Sequence, residues 1–205
     1  MAITSARHRV IKRAVDLLTA TALLVFGTPL CFFVGALIKL EDGGPIMFRQ
    51  VRVGRRGSLF TLYKLRSMRT DAETGGPQWA AIDDERVTGI GWWIRALRID
   101  EIPQAWNVLR GHMSLVGPRP ERPEFVDVLR EEIVGYDRRL VVRPGITGWA
   151  QVNQIYAGTV DDARVKLGYD LEYLERYSIW LDLRIMLRTA RIILLGWGGT
   201  SGKTA

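Results

Sequence analysis

An uncharged apolar segment near the N-terminus constrains the fold of this chain more than any other feature. From Leu17 to Ile38 there are 22 consecutive residues without a formal charge. About 20 apolar residues are enough for a helix to cross the hydrocarbon core of a bilayer. The run is too long for the core of a typical signal peptide, and no convincing small-residue cleavage site follows it. We therefore predict that this segment lies in a membrane.

Two features predict that the segment enters and leaves the membrane on the same side. Pro29 removes one helix hydrogen bond within the segment, and Thr28 can hydrogen-bond a freed carbonyl. Basic residues flank both ends: Arg7, Arg9, Lys12 and Arg13 before, and Lys39, Arg49, Arg52, Arg55 and Arg56 after. Because positively charged flanks stay in the cytoplasm, we predict a re-entrant helix within residues 1–40, bent at Thr28 and Pro29. A straight span is the alternative.

The charge balance predicts an anionic partner. The 205 residues include 29 Lys and Arg against 22 Asp and Glu, which gives a formal net charge of +7. The basic residues are spread along the chain without a common nucleic-acid-binding motif, so we expect phosphorylated small molecules or anionic lipids and no nucleic acid. The single cysteine, Cys31, excludes an internal disulfide and a cysteine-based zinc cluster.

Residues 41–196 are predicted to form one domain of the α/β class, more narrowly α+β, that is mostly helical with a small β-hairpin. Alternation over 46–68 with a Gly-Arg-Arg-Gly turn predicts the hairpin. On its second strand Lys64 and Arg66 share a face, which taken alone favours solvated side chains on an edge strand. Residues 70–86 are expected to form a surface loop.

Helices are predicted in the remainder of the domain. Trp92 and Trp93 belong to one of them, either as membrane-interface anchors or as core residues. Another begins at Pro123, with an expected buried stripe of Phe125, Leu129 and Ile133. A capping box at Thr159 and Asp162 predicts a third, ending near Arg176.

The last predicted helix runs from about Ile179 to Gly196 and carries an arginine stripe opposite a wide apolar face: Arg184, Arg188 and Arg191. Such a helix is typical of the membrane interface, and a core helix with solvated arginines is the alternative. The glycine-rich tail at 197–205 is expected to be disordered. Residues 143–148, Arg-Pro-Gly-Ile-Thr-Gly, are predicted to form a tight turn.

The chemistry is predicted to lie at two adjacent acids, Asp100 and Glu101, which precede Pro103. On a turn that enters a helix at this proline, both carboxylates can converge on one site. A carboxylate can attack phosphorus as a nucleophile, and one or two carboxylates with substrate phosphates can hold Mg²⁺. An isolated acid pair can equally do no more than favour the helix dipole.

The longer pattern resembles the bacterial sugar transferases called monotopic phosphoglycosyl transferases. The acid pair lies in Arg95-Ala-Leu-Arg-Ile-Asp-Glu-Ile-Pro-Gln-Ala-Trp-Asn, followed by Gly-Pro-Arg-Pro at 117–120. Further signatures occur in the family's order: Tyr63-Lys-Leu-Arg-Ser-Met, Arg143-Pro-Gly-Ile-Thr-Gly-Trp-Ala-Gln-Val-Asn, Tyr169-Asp-Leu-Glu-Tyr and Leu181-Asp182. Thr28-Pro29 is similar to the Ser-Pro of the family's re-entrant helix. The resemblance covers nearly the whole chain and matches the small form of the family, which lacks an extra transmembrane bundle.

The resemblance implies transfer of a sugar phosphate from a UDP-sugar to polyprenyl phosphate, with release of UMP, as the first membrane step of surface glycan synthesis. It implies that Asp100 is the nucleophile of a ping-pong reaction and that Glu101 is its partner in binding Mg²⁺ or activating the lipid phosphate. Basic residues matching positions around the phosphates are Lys64, Arg66, Arg95, Arg119 and Arg143. The expected location is the cytoplasmic face of the bacterial inner membrane, among its lipids, with a homodimer as one option.

Two positions depart from the family's pattern. His112 stands where an acid is frequent, and Gln154 stands where a glycine commonly follows Val-Asn. Neither touches the acid pair, so the expected reaction is unchanged. The alternative function is a non-catalytic membrane module that binds polyprenyl phosphate or anionic lipids through the same cations.

Overall fold

The computed structural model describes residues 6–79, 84–153 and 158–195. It begins with one long helix, α1 (Ala6–Asp42), which continues through Pro29 without interruption. Within the described residues, α1 is the helix that is long and apolar enough to cross a membrane, judged by length and composition. The predicted bend at Thr28 and Pro29, and the side on which each end of the segment lies, remain predictions.

Both ends of α1 are attached to the globular part of the chain. Near its start, Lys12 Nζ donates to Asp182 Oδ2 at 2.7 Å. At its end, Glu41 Oε1 accepts a hydrogen bond from the backbone of Ile90 at 3.2 Å, and Asp42 pairs with Arg66. The helix therefore lies along the body of the molecule instead of projecting away from it.

The predicted β-hairpin is confirmed. Strands β1 (Met47–Val53) and β2 (Leu59–Leu65) pair antiparallel, with Val53 opposite Leu59, and a 3₁₀ turn at Arg55–Gly57 joins them. One face of β2 buries Phe60 and Leu62 against Ala20 of α1. The interpretation of Lys64 and Arg66 as solvated edge residues is wrong, because Arg66 is buried and Lys64 is half-buried.

The helices that follow agree largely with the sequence. Their bounds are α2 (Gly89–Ala96), α3 (Gln104–Leu109), α4 (Pro123–Glu132), α5 (Trp149–Asn153), α6 (Val160–Glu175) and α7 (Ile179–Leu194). The capping box is present, since Thr159 accepts from Asp162 N while the Asp162 side chain accepts from Thr159 N. In α4 the buried stripe holds Val126 together with Leu129 and Ile133, whereas Phe125 is only half-buried and packs against Trp79. The expected burial of Phe125 is thus corrected to Val126.

The predicted tight turn at 143–148 is partly a strand. Residues Gly145–Thr147 form β4, which pairs in parallel with β3 (Ser114–Val116). The backbones approach so closely that a Cβ on Gly145 would overlap the backbone nitrogen of Gly117. This non-local contact places the Gly-Pro-Arg-Pro segment beside the end of β4.

Large apolar side chains project from α1 and α7 on the outside of the molecule. The most exposed include Leu18, Phe26, Phe32 and Leu40 on α1 and Trp180, Leu187 and Leu194 on α7. Exposed apolar surface of this size is unfavourable in water and marks a contact with lipid or another protein. Trp92 and Trp93 are also exposed, at 45% and 64%, as expected of interface anchors and not of core residues.

Helix α7 is amphipathic as predicted, with Asp182 and Ile185 buried and Trp180 exposed. Its arginines do not lie simply opposite an apolar face, because two of them cover the ring of Trp149. The guanidinium carbons of Arg184 and Arg188 lie 6.0 Å and 5.0 Å from the ring centroid. The expected tail at 197–205 lies outside the described residues.

Candidate active site

The two acids lie on a 3₁₀ turn, Ile99–Glu101, between α2 and α3. Arg98 precedes the turn in the left-handed conformation, with φ of 56°. The chain then continues through Ile102 and Pro103 into α3, as the position of the proline predicts. Both Asp100 and Glu101 are only 6% exposed. The turn therefore directs two carboxylates into the protein, where desolvation makes each charge depend on its neighbours.

The turn is in direct contact with the apolar helix. A Cβ placed on Gly27 of α1 would lie 2.7 Å from the Cγ2 of Ile102, so the glycine permits this close approach. Gly27 is buried and immediately precedes Thr28 and Pro29, which are exposed. The acid pair thus lies at the level of the middle of α1, and not at either of its ends.

Glu101 is fixed in its ionised form by arginines. Arg119 Nη2 donates to Glu101 Oε1 at 2.8 Å, and Arg98 Nη1 reaches the same oxygen at 3.5 Å. Burial raises the pKa of Glu101, but the charges of Arg119 and Arg98 outweigh it and bring the pKa down to about 2. Oε1 of this carboxylate therefore holds Arg119 in place.

The pKa of Asp100 shifts in the opposite direction. Among the described residues, its Oδ1 is buried and has no hydrogen-bond partner. Burial and the charge of Glu101 raise its pKa to about 6, against the opposing effect of Lys64, Arg98 and Arg95. An ionised carboxylate with an uncommitted oxygen, in a site of low dielectric, is suited to attack an electrophile or to bind a cation.

Cations surround Asp100. Burial lowers the pKa of Lys64 to about 8, while the charge of Asp100 raises it and those of Arg52, Arg119 and Arg95 lower it further. The Lys64 ammonium also lies 5.1 Å from the centroid of the Phe48 ring. The positive charges of three predicted phosphate-binding residues therefore act to lower the pKa of Asp100, of Glu101 or of both: Lys64, Arg95 and Arg119.

The other two predicted binding residues lie elsewhere. Arg66 is buried and pairs with Asp42 at the end of α1. Arg143 donates from Nε to the carbonyl of Gly111 at 2.8 Å. Its positive charge acts to lower the pKa values of Arg55 and Tyr177. The structure therefore does not bring Arg66 or Arg143 to the acid pair.

Sequence reasoning missed Arg98 and a buried support for Arg119. The signal for Arg98 was present, since it stands three residues before Glu101 within the motif. The support is Arg139, whose Nη2 donates to the carbonyl of Arg119 at 2.8 Å and whose Nε donates to Asp170 Oδ2 at 2.7 Å. Asp170 belongs to the Tyr169-Asp-Leu-Glu-Tyr signature, but nothing in the sequence pairs it with Arg139.

The residues present fit a bound Mg²⁺. No group of three or more His, Cys, Asp or Glu side chains able to hold a metal occurs within the part of the chain that the structure describes. Mg²⁺ does not require such a cage, because it commonly uses one or two carboxylates with substrate phosphates and water. The unpartnered Oδ1 of Asp100, next to the carboxylate of Glu101, offers that donor set.

The two departures from the pattern lie away from this chemistry or outside the structure's description. His112 is exposed and packs against Phe60, with ring centroids 5.7 Å apart. This contact is with strand β2 and not with the acid turn. Gln154 lies outside the described residues.

Known proteins resemble this chain over most of its length. The model of the family "Bacterial sugar transferase" matches residues 7–196. A UDP-N-acetylgalactosamine-undecaprenyl-phosphate N-acetylgalactosaminephosphotransferase of Aeromonas hydrophila is 50% identical over 188 residues, which are 92% of this chain and 44% of that protein. UDP-glucose:undecaprenyl-phosphate glucose-1-phosphate transferases of Caulobacter vibrioides and Escherichia coli are 42% and 38% identical, each across 89% of this chain and across 69% and 40% of their own lengths. The chain thus spans less than half of the Aeromonas and Escherichia proteins.

Proposed function

The chain belongs to the bacterial sugar transferase family, and on that premise we propose that it transfers a sugar phosphate from a UDP-sugar to polyprenyl phosphate with release of UMP. The single observation that carries the proposal is the buried, unpartnered oxygen of Asp100 beside Glu101 and four cations. The names of the relatives support the substrates, since those proteins act on UDP-sugars and undecaprenyl phosphate.

The proposed reaction has two displacements at one phosphorus atom. An oxygen of Asp100 attacks the phosphorus that bears the sugar, the bond from that phosphorus to the bridging oxygen breaks, and UMP leaves with the electron pair. An oxygen of polyprenyl phosphate then attacks the same phosphorus and releases the Asp100 carboxylate. The products are UMP and a polyprenyl diphosphate sugar. A buried carboxylate nucleophile splits one difficult transfer into two easier ones.

The surrounding side chains stabilise the negative charge that spreads over the phosphoryl oxygens during each displacement. Lys64, Arg95, Arg98 and Arg119 supply compensating positive charge, and Arg119 is held in place by its hydrogen bond to Glu101. Preorganised cations of this kind are a main source of catalysis in phosphoryl transfer. Mg²⁺ held by Asp100 and Glu101 would add a positive charge at the diphosphate.

The position of the acid turn against α1 supports a reaction at a membrane surface. Ile102, next to Glu101, packs on Gly27 in the middle of the apolar helix. A lipid phosphate at headgroup depth and a water-soluble sugar nucleotide can meet there. We place the site at the cytoplasmic face of the inner membrane with α1 re-entrant, because both ends of α1 pack on the same globular body.

The test is release of UMP from a panel of UDP-sugars in the presence of Mg²⁺ and polyprenyl phosphate. Wild type is expected to release UMP from at least one donor, and Asp100→Asn to release none. A donor labelled in the sugar phosphate should also label wild-type protein covalently when acceptor is omitted. Full turnover by Asp100→Asn would contradict the nucleophile assignment. No release from any donor, with lipid binding intact, would favour the binding module instead.

A further inference from the structure

Asn107, in α3, is a polar residue that is completely buried, with an exposed fraction of 0%. Its Nδ2 donates to the carbonyl of Thr61 at 2.7 Å, and its Oδ1 accepts a hydrogen bond from the backbone N–H of Tyr63 at 3.2 Å. Burial of a carboxamide costs free energy unless its polar atoms are hydrogen-bonded, and here both the nitrogen and the oxygen have partners. One side chain of α3 therefore binds the backbone of β2 at two points, and we call this pair of hydrogen bonds the Asn107 clamp.

The two backbone groups that Asn107 binds lie on one edge of β2. In a strand, the C=O of one residue and the N–H of the residue two positions later point to the same edge, where a neighbouring strand would bind them. Within the described residues, the sheet that contains β2 has β1 as its one other strand. A carboxamide offers the same donor and acceptor as the backbone of a further strand. The Asn107 clamp therefore takes the place of a third strand and fixes where β2 lies against α3.

The Asn107 clamp joins two parts of the acid site. Helix α3 follows the turn that carries Asp100, and Pro103 is its N-cap residue. Strand β2 carries Lys64 directly after Tyr63. Lys64 and Asp100 affect one another, since the ammonium acts to lower the pKa of Asp100 and the carboxylate acts to raise that of Lys64. The hydrogen bond to Tyr63 thus lies one residue away from a cation of the site, on a side chain that belongs to the helix after the acid turn.

A separate contact fastens α3 itself. Arg13 of α1 donates from Nη1 to the carbonyl of Val108 at 2.8 Å and from Nη2 to the carbonyl of Leu109 at 3.0 Å. These carbonyls belong to the last turn of α3, where intrahelical partners are lacking. Because α3 is already held by α1 in this way, the Asn107 clamp acts on the position of β2 relative to the helix.

We propose, building on the function proposed above, that Asn107 is a positioning residue that holds the ammonium of Lys64 in its place beside Asp100 for the transfer of the sugar phosphate. It acts through the backbone of β2 and not through contact with the donor. Phosphoryl transfer depends on cations that are in position before the reaction begins, and a displacement of about 1 Å can cost about a hundredfold in rate. Because a carboxamide carries no charge, it fixes the position of Lys64 without altering the charge of the site.

The first test separates position from hydrogen bonding. Asn107→Gln keeps the carboxamide but displaces it by one methylene group, so it cannot bind Thr61 and Tyr63 with β2 in its present place. The kcat for UMP release should fall about tenfold with a smaller change in KM. The acid limb of the pH profile of kcat/KM should move to higher pH, because the charge of Lys64 that lowers the pKa of Asp100 is no longer held in place. Asn107→Ala, which removes both hydrogen bonds without adding a charge, should change both quantities in the same directions.

Ser114→Ala is the matched control for the loss of a buried hydrogen bond. Ser114 is 1% exposed and donates from Oγ to Asp16 Oδ1 at 3.0 Å, between β3 and α1. Thermal unfolding in detergent should show lower stability in this control, while its turnover per folded molecule and its acid limb should match those of wild type. Asn107 variants that lose stability but keep the wild-type kcat and acid limb would overturn the proposal, because the side chain would then only stabilise the fold.

A double variant identifies the group through which Asn107 acts. When Lys64→Met is already present, the addition of Asn107→Gln should move the acid limb little further, because the two changes remove the same interaction. A full additional shift would show that the Asn107 clamp acts on another group and would overturn the proposal.

Titration of the Asp100 carboxyl by carbon-13 NMR, with its signal assigned from Asp100→Asn, measures the same shift without substrate. The pKa of Asp100 should be higher in Asn107→Gln than in wild type, and an unchanged value would overturn the proposal. This measurement does not depend on turnover. It therefore tests the role of Asn107 separately from the proposed function, which fails if wild-type protein releases no UMP from any UDP-sugar.

Discussion

Two buried clusters of charge contact α1, and they differ in how completely they are satisfied. Near the start of the helix, Lys12 donates to Asp182 and to the carbonyl of Val116, while Asp16 accepts from Ser114 and Leu115. Near the middle of the helix lies the acid pair, where Glu101 is paired with Arg119 and one oxygen of Asp100 has no hydrogen-bond partner in the described part of the chain. The first cluster therefore fastens the helix, whereas the second has an oxygen available for the reaction proposed above.

The largest expected effect is on activity and comes from a change in the acid pair. Asp100→Asn should lower UMP release at least about ten-thousandfold, the scale seen when a catalytic nucleophile is removed. Stability should not fall. The pKa of Asp100 is higher in the folded protein than in an unfolded chain, so ionisation of this carboxyl near neutral pH disfavours the fold.

Activity assays and thermal unfolding in detergent would check both parts. Asp127→Asn, a change of the same type at a carboxylate that is 71% exposed, is the control and should alter neither quantity. A marked loss of stability in Asp100→Asn would remove the distinction between the two clusters.

A change in the cluster of Lys12 and Asp182 should have the opposite effect, lowering stability and leaving turnover unchanged. Lys12→Met leaves the carboxylate of Asp182 buried without its cation, which typically costs about 3–5 kcal/mol in the free energy of unfolding. Denaturant unfolding in micelles would measure it, with the exposed Arg7→Met as control. Protein that remains folded should retain the wild-type turnover per active molecule. Wild-type stability in Lys12→Met would show that this cluster does not fasten the helix.

An intermediate effect is expected at Arg139, which is fully hydrogen-bonded but touches a residue of the acid site. Arg139→Lys keeps the charge but cannot make all the contacts to Asp170, Tyr136 and the carbonyl of Arg119. Because Arg119 would lose its fixed position, kcat should fall about tenfold with a smaller change in KM. Steady-state kinetics would measure this, and Arg138→Lys, at the exposed neighbouring residue, should have no effect. An equal change in both variants would contradict the positioning role.

The smallest expected effect is a shift in pH dependence. The proposed mechanism requires ionised Asp100, so the rate should decline as the pH falls through an apparent pKa of about 6 that belongs to the acid pair as a unit. Lys64 lowers the pKa of Asp100, so Lys64→Met should move this acid limb to higher pH as well as reduce the rate. The pH profile of kcat/KM would show the shift, and Lys39→Met should leave the limb in place. A limb that moved to lower pH would mean that Lys64 acts on another group.

The parts of the fold that depend on local sequence were predictable. The hairpin, the capping box at Thr159 and the turn that enters α3 at Pro103 each depend on residues close together in the chain. The parallel pairing of β3 with β4 was not predictable, because it joins segments about 30 residues apart through the close approach of Gly117 and Gly145. A Pro-Gly sequence such as Pro144-Gly145 looks the same in a turn and at the start of such a strand.

The same distinction between local and non-local contacts applies to the candidate site. The acid pair and Arg119 lie in one motif, and the structure brings Arg119 to Glu101. Arg66 and Arg143 lie in motifs of similar appearance, yet their actual partners, Asp42 and Gly111, come from other elements. A motif shows that a basic residue is present, but only the tertiary structure shows which anion or carbonyl it faces.

The missing side chain at Gly27 sets the spacing between the apolar helix and the acid turn. Ile102 meets the helix backbone there so closely that a Cβ on residue 27 would lie 2.7 Å from its Cγ2. Any larger residue at this position would therefore force Ile102, the residue next to Glu101, to move away from α1.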